Sequence, residues 1–94
     1  MLTEVNLNLY KYFFAVIEEK SVCLAAKKLH VSQPSVSYNI HELQRFLQEK
    51  LFTVERCGLV PLPRALELYQ DLKPIFDHLL TAVDNFVTRK HIKV

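Results

Sequence analysis

Two serines constrain this 94-residue chain more than any other feature. Ser21 and Ser32 each stand where a helix must start, because a serine hydroxyl accepts a bond from an otherwise unpaired first-turn amide. Between them there is room for one short helix and a tight turn. Leu24, Ala25, Leu29 and Val22 give that helix its apolar spacing. Ala25 and Ala26 are small, which lets a second helix cross closely. His30-Val31 falls at the break. No glycine stands there, so His30 is the residue expected to take the left-handed turn conformation.

The second helix starts at Ser32, with Pro34 in its first turn, where a missing amide hydrogen costs little. Val36, Ile40, Leu43 and Leu47 then line one face. The opposite face carries Gln33, Ser35, Ser37, Tyr38, His41 and Arg45. It is polar, mostly uncharged and rich in groups that can read base edges or bind phosphates. Any amphipathic surface helix shows a polar face. Together with the paired caps, the small-residue crossing and the short turn, this one predicts a helix-turn-helix that offers its second helix to a DNA major groove.

The rest of the chain supports that pair. Asn6 is a cap for a first helix from about Leu7 to Glu19, with Leu7, Tyr10, Phe13, Phe14 and Ile17 as its buried stripe. The helix-turn-helix runs to about Glu49. Leu51-Phe-Thr-Val54 and Leu59-Val60 are short β-prone segments around Glu55-Arg-Cys-Gly58, which predicts a hairpin with Gly58 supplying the turn. Two strands alone are marginal, so the hairpin must lean on the helices through Leu51 and Phe52. Arg56 at its tip suits a phosphate or a minor groove, or is simply a solvated loop arginine.

Pro61 and Pro63 end the hairpin, and Pro63 suits the first position of a last helix, from Arg64 to about Lys90. Leu62, Ala65, Tyr69, Leu72, Phe76, Leu79, Val83 and Phe86 form a heptad-like seam, widened by Leu66, Leu68, Ile75, Leu80 and Val87. So long a helix exceeds the small domain before it, and its surplus apolar surface calls for a second copy, or else for folding back on its own core. Tyr69, Leu72, Phe76, Leu79, Val83 and Phe86 are the expected dimer contacts. Pro74 removes the amide that would bond Gln70 and predicts a local kink. Arg89-Lys-His-Ile-Lys93 is a basic end that complements the helix dipole.

Composition narrows the function. Half the residues are hydrophobic and only one is glycine, so the chain can pack a core. The net charge is +2 and the pI about 8.6, too mild to decide for or against a nucleic-acid partner. Cys23 and Cys57 lack metal-ligand spacing and read as reduced thiols, Cys23 at a core edge. There is no Gly-rich phosphate loop, nucleophile elbow or metal pattern. His30, His41, His78 and His91 are scattered, and Glu18 and Glu19 point in different directions. No enzyme, cofactor or metal is expected, and no membrane span or secretory signal.

The run Phe13 … Ser21 … Ala25-Ala26 … Leu29 … Val31-Ser-Gln-Pro-Ser-Val-Ser37 … Ile40 … Leu43 … Leu51-Phe52 resembles the N-terminal domain of LysR-type bacterial transcriptional regulators. The similarity covers roughly Asn6 to Val87, and the segment Val31–Ser37 is its specific part. It implies a mainly α winged helix-turn-helix, three helices plus a small hairpin wing, followed by a long linker helix that pairs two subunits. It also implies that Gln33, Pro34, Ser35, Ser37 and Tyr38 lie against the major groove. The chain departs from the family pattern at several places. Lys20 and Gln48 stand where glycine is usual, Tyr38 and Val54 where arginine is usual, and Gln44 where glutamate is usual. Arg56 is then the nearest candidate for the wing's arginine. Pro63 and Leu66 replace a threonine and a glycine.

The expectation is therefore a sequence-specific regulator of transcription that binds double-stranded DNA as a homodimer in the bacterial cytoplasm, on the nucleoid. Residues 1–62 form the DNA-binding domain and 63–94 the linker helix and tail. Ser32, Gln33, Pro34, Ser35, Ser37, Tyr38 and His41 face the major groove, and Arg45 and Arg56 the backbone. The resemblance also implies a ligand-sensing domain after the linker helix, which this chain does not include. The rival is a protein-interaction module of the same fold that pairs with or blocks another regulator, since Tyr38 cannot make arginine's two-pronged contact with guanine.

Overall fold

A computed structural model of the chain describes residues 7–56 and 58–92, the last three by backbone alone. The cap expected at Asn6, the thiol of Cys57 and the tail side chains from position 90 lie outside this description. The elements are α1 (Leu7–Glu19), α2 (Val22–Leu29), α3 (Gln33–Leu47), β1 (Phe52–Glu55), β2 (Gly58–Pro61) and α4 (Pro63–Ile92). The architecture is a winged helix-turn-helix followed by a long helix.

Both serine caps form. The Leu24 amide donates to Ser21 Oγ at 3.1 Å, and the Ser35 amide to Ser32 Oγ at 3.2 Å. Between α2 and α3, His30 is left-handed at φ 59° and ψ 44°. Its amide and that of Val31 close on the Lys27 and Ala26 carbonyls at 3.2 and 3.0 Å. The same device ends α1 at Lys20 (φ 58°) and α3 at Gln48 (φ 54°). Each side chain held there costs about 1 kcal/mol or more against the ordinary helical region. Glycine would avoid that cost, which explains physically why the family pattern has glycine at Lys20 and Gln48.

The core surrounds α1. Phe13, Ala25, Val36, Leu43 and Ala65 have no exposed surface. Ala25 and Ala26 let α2 and α3 cross over α1, as their size predicts. Three expectations change. Leu7 and Leu24 are about half exposed, and Cys23 is exposed rather than at the core edge. α2 has only eight residues and turns its Ala25-Ala26 edge inward, so Cys23 and Leu24 rotate outward. Leu7 lies on the first turn of α1, away from the packed Tyr10–Val16 stretch.

β1 and β2 pair antiparallel, Phe52 opposite Pro61 and Glu55 opposite Gly58, so two residues connect them. Gly58 sits at φ 109°, a conformation that favours glycine. The hairpin leans on the helices as a two-stranded unit must. Leu51 and Phe52 are buried, and Phe52 meets Phe13 edge-on at 6.0 Å.

α4 has 30 residues and runs continuously through Pro74. At 1.5 Å per residue it is about 45 Å long, and it gives the molecule its 54 Å long axis. The expected seam divides in two. Tyr69, Leu72 and Phe76 pack on the chain's own core, with Phe76 edge-on to Phe14 at 5.0 Å. Leu79, Val83 and Phe86 remain exposed. The physical reason is that α1 presents Tyr10 and Phe14 toward α4 and needs cover there, so the fold-back option applies to the first half of the helix.

A polar network fastens this half. The Tyr69 hydroxyl donates to Glu18 Oε2 at 2.8 Å, and Lys73 Nζ lies 3.2 Å from the same oxygen. Lys28 Nζ reaches Glu18 Oε1 at 3.4 Å, and Lys73 also sits over the Phe14 ring. Partial burial pushes the Glu18 carboxyl up. The bonds from Tyr69, Lys73 and Lys28 outweigh it and hold the carboxyl below its ordinary range.

Two predictions follow from this packing. Lys20→Gly and Gln48→Gly each raise stability by about 0.5–1 kcal/mol in urea melts, whereas Lys27→Gly, inside α2, lowers it by about 1. For Glu18 the folded carboxyl titrates below the unfolded one. Its contribution is therefore present above the ordinary carboxylate range and lost as pH falls through the lowered value. Glu18→Gln lowers stability near pH 7 by about 1 kcal/mol or less and flattens the acid side of a Tm-versus-pH curve.

Candidate nucleic-acid interface

Val36, Ile40 and Leu43 anchor α3 by one face, and this anchoring turns the opposite face outward. Ser32, Gln33, Pro34, Ser37, Tyr38, His41 and Arg45 are all exposed. Ser35 is half-buried. Its amide is engaged by the Ser32 cap, and its carbonyl accepts from Asn39 Nδ2 at 2.8 Å. Tyr38 is 64% exposed. Arg45 donates to Glu42 Oε2 at 2.8 Å, so its charge is partly answered within the helix. Arg56 is exposed in the hairpin turn, and among the described residues it has no hydrogen bond or ion pair.

The fold sets α3 and the hairpin on two sides of a groove of about 560 Å³. Gln33, Ser37 and His41 line it from α3, and Val54 and Leu59 from the wing. Lys50, in the connection between α3 and β1, also lines it. The structure thus brings together three of the predicted residues. Pro34, Tyr38, Arg45 and Arg56 are not among those that line the groove. Sequence reasoning missed Lys50. It lies outside any periodic segment, and only the path of the connection places it.

That path is fixed by Gln44. Its Oε1 accepts from the amides of both Leu51 and Phe52, at 2.8 and 3.0 Å. A carboxylate would accept the same two bonds, so glutamine at a glutamate position keeps the function without the charge. The Glu49 amide closes on the Gln44 carbonyl at 3.2 Å, and the Glu49 carboxylate pairs with Arg64 at 3.4 Å. The Leu62 amide donates to the Leu51 carbonyl at 2.8 Å and ties the connection to the start of α4.

Among the described residues no group of His, Cys, Asp and Glu is placed to hold a metal ion. No described helix is long and apolar enough to cross a membrane. The site offers amide, hydroxyl, imidazole and ammonium groups on a surface open to solvent.

A winged helix-turn-helix with a long trailing helix is the class that this geometry defines. Residues 7–65 match the model of the bacterial regulatory helix-turn-helix proteins of the lysR family, and the chain belongs to that family. It is similar to the HTH-type transcriptional regulator SyrM 1 of Sinorhizobium fredii (strain NBRC 101917 / NGR234). The two are 36% identical over 84 residues, which is 89% of this chain and 25% of that protein. Nodulation protein D 1 of Bradyrhizobium sp. (strain NC92) is 32% identical over 84% of this chain and 25% of its own length. The chain therefore spans about a quarter of the length of these curated relatives. Among solved structures, the CbnR_DBD–DNA complex has a TM-score of 0.78 at 27% identity, over 86% of this chain and 93% of that one. The BenM_DBD/catB site 1 DNA complex has a TM-score of 0.78 at 29% identity, over 85% and 86%.

One prediction tests the clasp. Gln44→Ala strands two amides and lowers stability by about 2–3 kcal/mol in chemical melts, while Gln44→Glu stays near wild type.

Proposed function

We propose that this chain binds double-stranded DNA sequence-specifically and regulates transcription as a homodimer. The observation that carries this is the outer face of α3. It is a row of exposed, mostly uncharged hydrogen-bonding side chains, held rigidly from behind and flanked by a wing. The likeness to two chains seen in DNA complexes supports the same reading. Ser32, Gln33, Pro34, Ser35, Ser37, Tyr38 and His41 face the major groove. Arg45 and Arg56 face the backbone. The site of action is the nucleoid in the bacterial cytoplasm.

Residues 1–62 make the reading unit and 63–94 the pairing helix. The first half of α4 also completes the reading unit's core. Beyond Phe76, the apolar side chains Leu79, Leu80, Val83, Phe86 and Val87 are exposed along α4. A second copy is the simplest cover for such a strip. Two linked reading heads then imply a near-palindromic pair of half-sites.

A second reading draws on Tyr38 and Val54. Both are well exposed and neither carries a charge. The chain would then pair with another regulator of its family and block it.

Fluorescence anisotropy against duplexes selected from a random pool separates the two. DNA reading predicts affinity that falls steeply with salt and drops about 5- to 100-fold in Gln33→Ala and Ser37→Ala. The Leu79→Asp/Phe86→Asp double variant stays folded by circular dichroism, sediments as a monomer and binds more weakly. If only the α4 changes matter, the blocking role stands. Salt-insensitive binding removes the DNA reading.

A further inference from the structure

Lys50 has no place in the reading of α3 and the wing, yet the structure singles it out. Among the described residues it makes no hydrogen bond or ion pair, which it shares with Lys20, Lys27, Arg56 and Arg89, and what sets it apart from them is its place in the groove. It is the only lysine or arginine among the described residues that line the groove between α3 and the wing, and none of those residues is acidic. Its backbone is pinned on both sides. Before it, the Glu49 amide bonds the Gln44 carbonyl, and the Glu49 carboxylate holds Arg64. After it, the Leu51 and Phe52 amides both bond the Gln44 side chain. A free cation on a fixed backbone is pre-organised for an anion, because the connection loses little freedom when the anion arrives.

The walls of the groove select the kind of anion. One wall carries hydroxyl, amide and imidazole groups from Ser37, Gln33 and His41, beside the apolar Val22 and Ile40. The other is apolar, from Val54 and Leu59, and Val54 is 79% exposed. A DNA strand alternates charged phosphates with largely apolar deoxyribose faces. One ammonium beside one apolar wall matches a single repeat of that pattern. The groove also separates the helix meant for the major groove from the wing. A strand crossing it is the one that divides the major groove from the neighbouring minor groove.

We propose that this groove seats one sugar–phosphate strand of the bound duplex, with Lys50 on a phosphate and Val54 and Leu59 against the adjoining deoxyribose. This rests on the DNA-binding function proposed above and adds to it a contact that fixes register without reading sequence. Each phosphate neutralised contributes about 0.9 to the slope of log K against log salt. Lys50→Gln therefore makes that slope shallower by about 1. It weakens binding about eightfold at 0.1 M salt, equally for selected and unrelated duplexes. Lys50→Arg keeps both slope and affinity. The Lys50 side chain is exposed and unpartnered, so both variants keep the wild-type melt, which circular dichroism checks.

The decisive experiment is a salt series of anisotropy titrations on the full chain with wild type, Lys50→Gln and Lys50→Arg. Wild type that binds with a steep salt slope which Lys50→Gln leaves unchanged overturns this proposal alone. A loss in Lys50→Gln confined to the selected duplex overturns it too, because that outcome marks a base contact. Wild type that binds no duplex at low salt overturns this proposal together with the DNA-binding function beneath it.

Discussion

Phe13 and Phe14, adjacent on α1, divide the helix between two tasks on which the rest of the structure depends. Phe13 is fully buried and faces Phe52 at the foot of the wing. Phe14 faces Tyr69 and Phe76 of α4, with Lys73 over its ring. One helical step of about 100° thus sends one aromatic ring toward the reading unit and the next toward the trailing helix. Burying two rings of this size is among the largest single contributions available to so small a core. α2 can be short, and α2 and α3 polar outside, because this hub carries the hydrophobic load.

Much of this was legible in the sequence, and the reasons differ by element. Ser21 and Ser32 announced their helices because capping is a local interaction that needs only neighbouring amides. His30 was legible as a left-handed residue because no glycine stood at the break and the β-branched Val31 beside it suits that conformation poorly. Lys20 and Gln48 adopt the same conformation, and their side chains give no local hint of it. Only the family pattern, with glycine at both places, carried that signal. The long helix was legible in its extent but not in its allegiance. Tyr69, Leu72 and Phe76 follow the same spacing as Leu79, Val83 and Phe86, and spacing cannot say which of them meets α1. Lys50 was invisible for a related reason. Its position depends on a side-chain clasp from Gln44, several residues earlier in the chain.

The modest net charge of +2 conceals a sorting of charges that the fold performs. Lys28 and Lys73 converge on Glu18, Arg45 on Glu42, and Arg64 on Glu49 and Glu67. These pairs are partly exposed and individually weak. Their collective effect is to withdraw several cations from outside use. Lys20, Lys27, Lys50 and Arg56 are among those that keep theirs, the last two on the connection and the turn that flank the hairpin. A mildly basic chain can therefore show a locally positive surface without a strongly basic composition.

The division of α4 turns the molecule into a lever. The fulcrum lies at Lys73 and Phe76, which meet Glu18, Tyr10 and Phe14 of α1, and beyond it an arm of about 24 Å extends to Ile92. A tilt of about 5° at the fulcrum would move the far end by roughly 2 Å by this rise per residue. Whatever grips the arm has mechanical advantage over the reading unit, and the Glu18 cluster is the bearing that sets how stiffly the two move together.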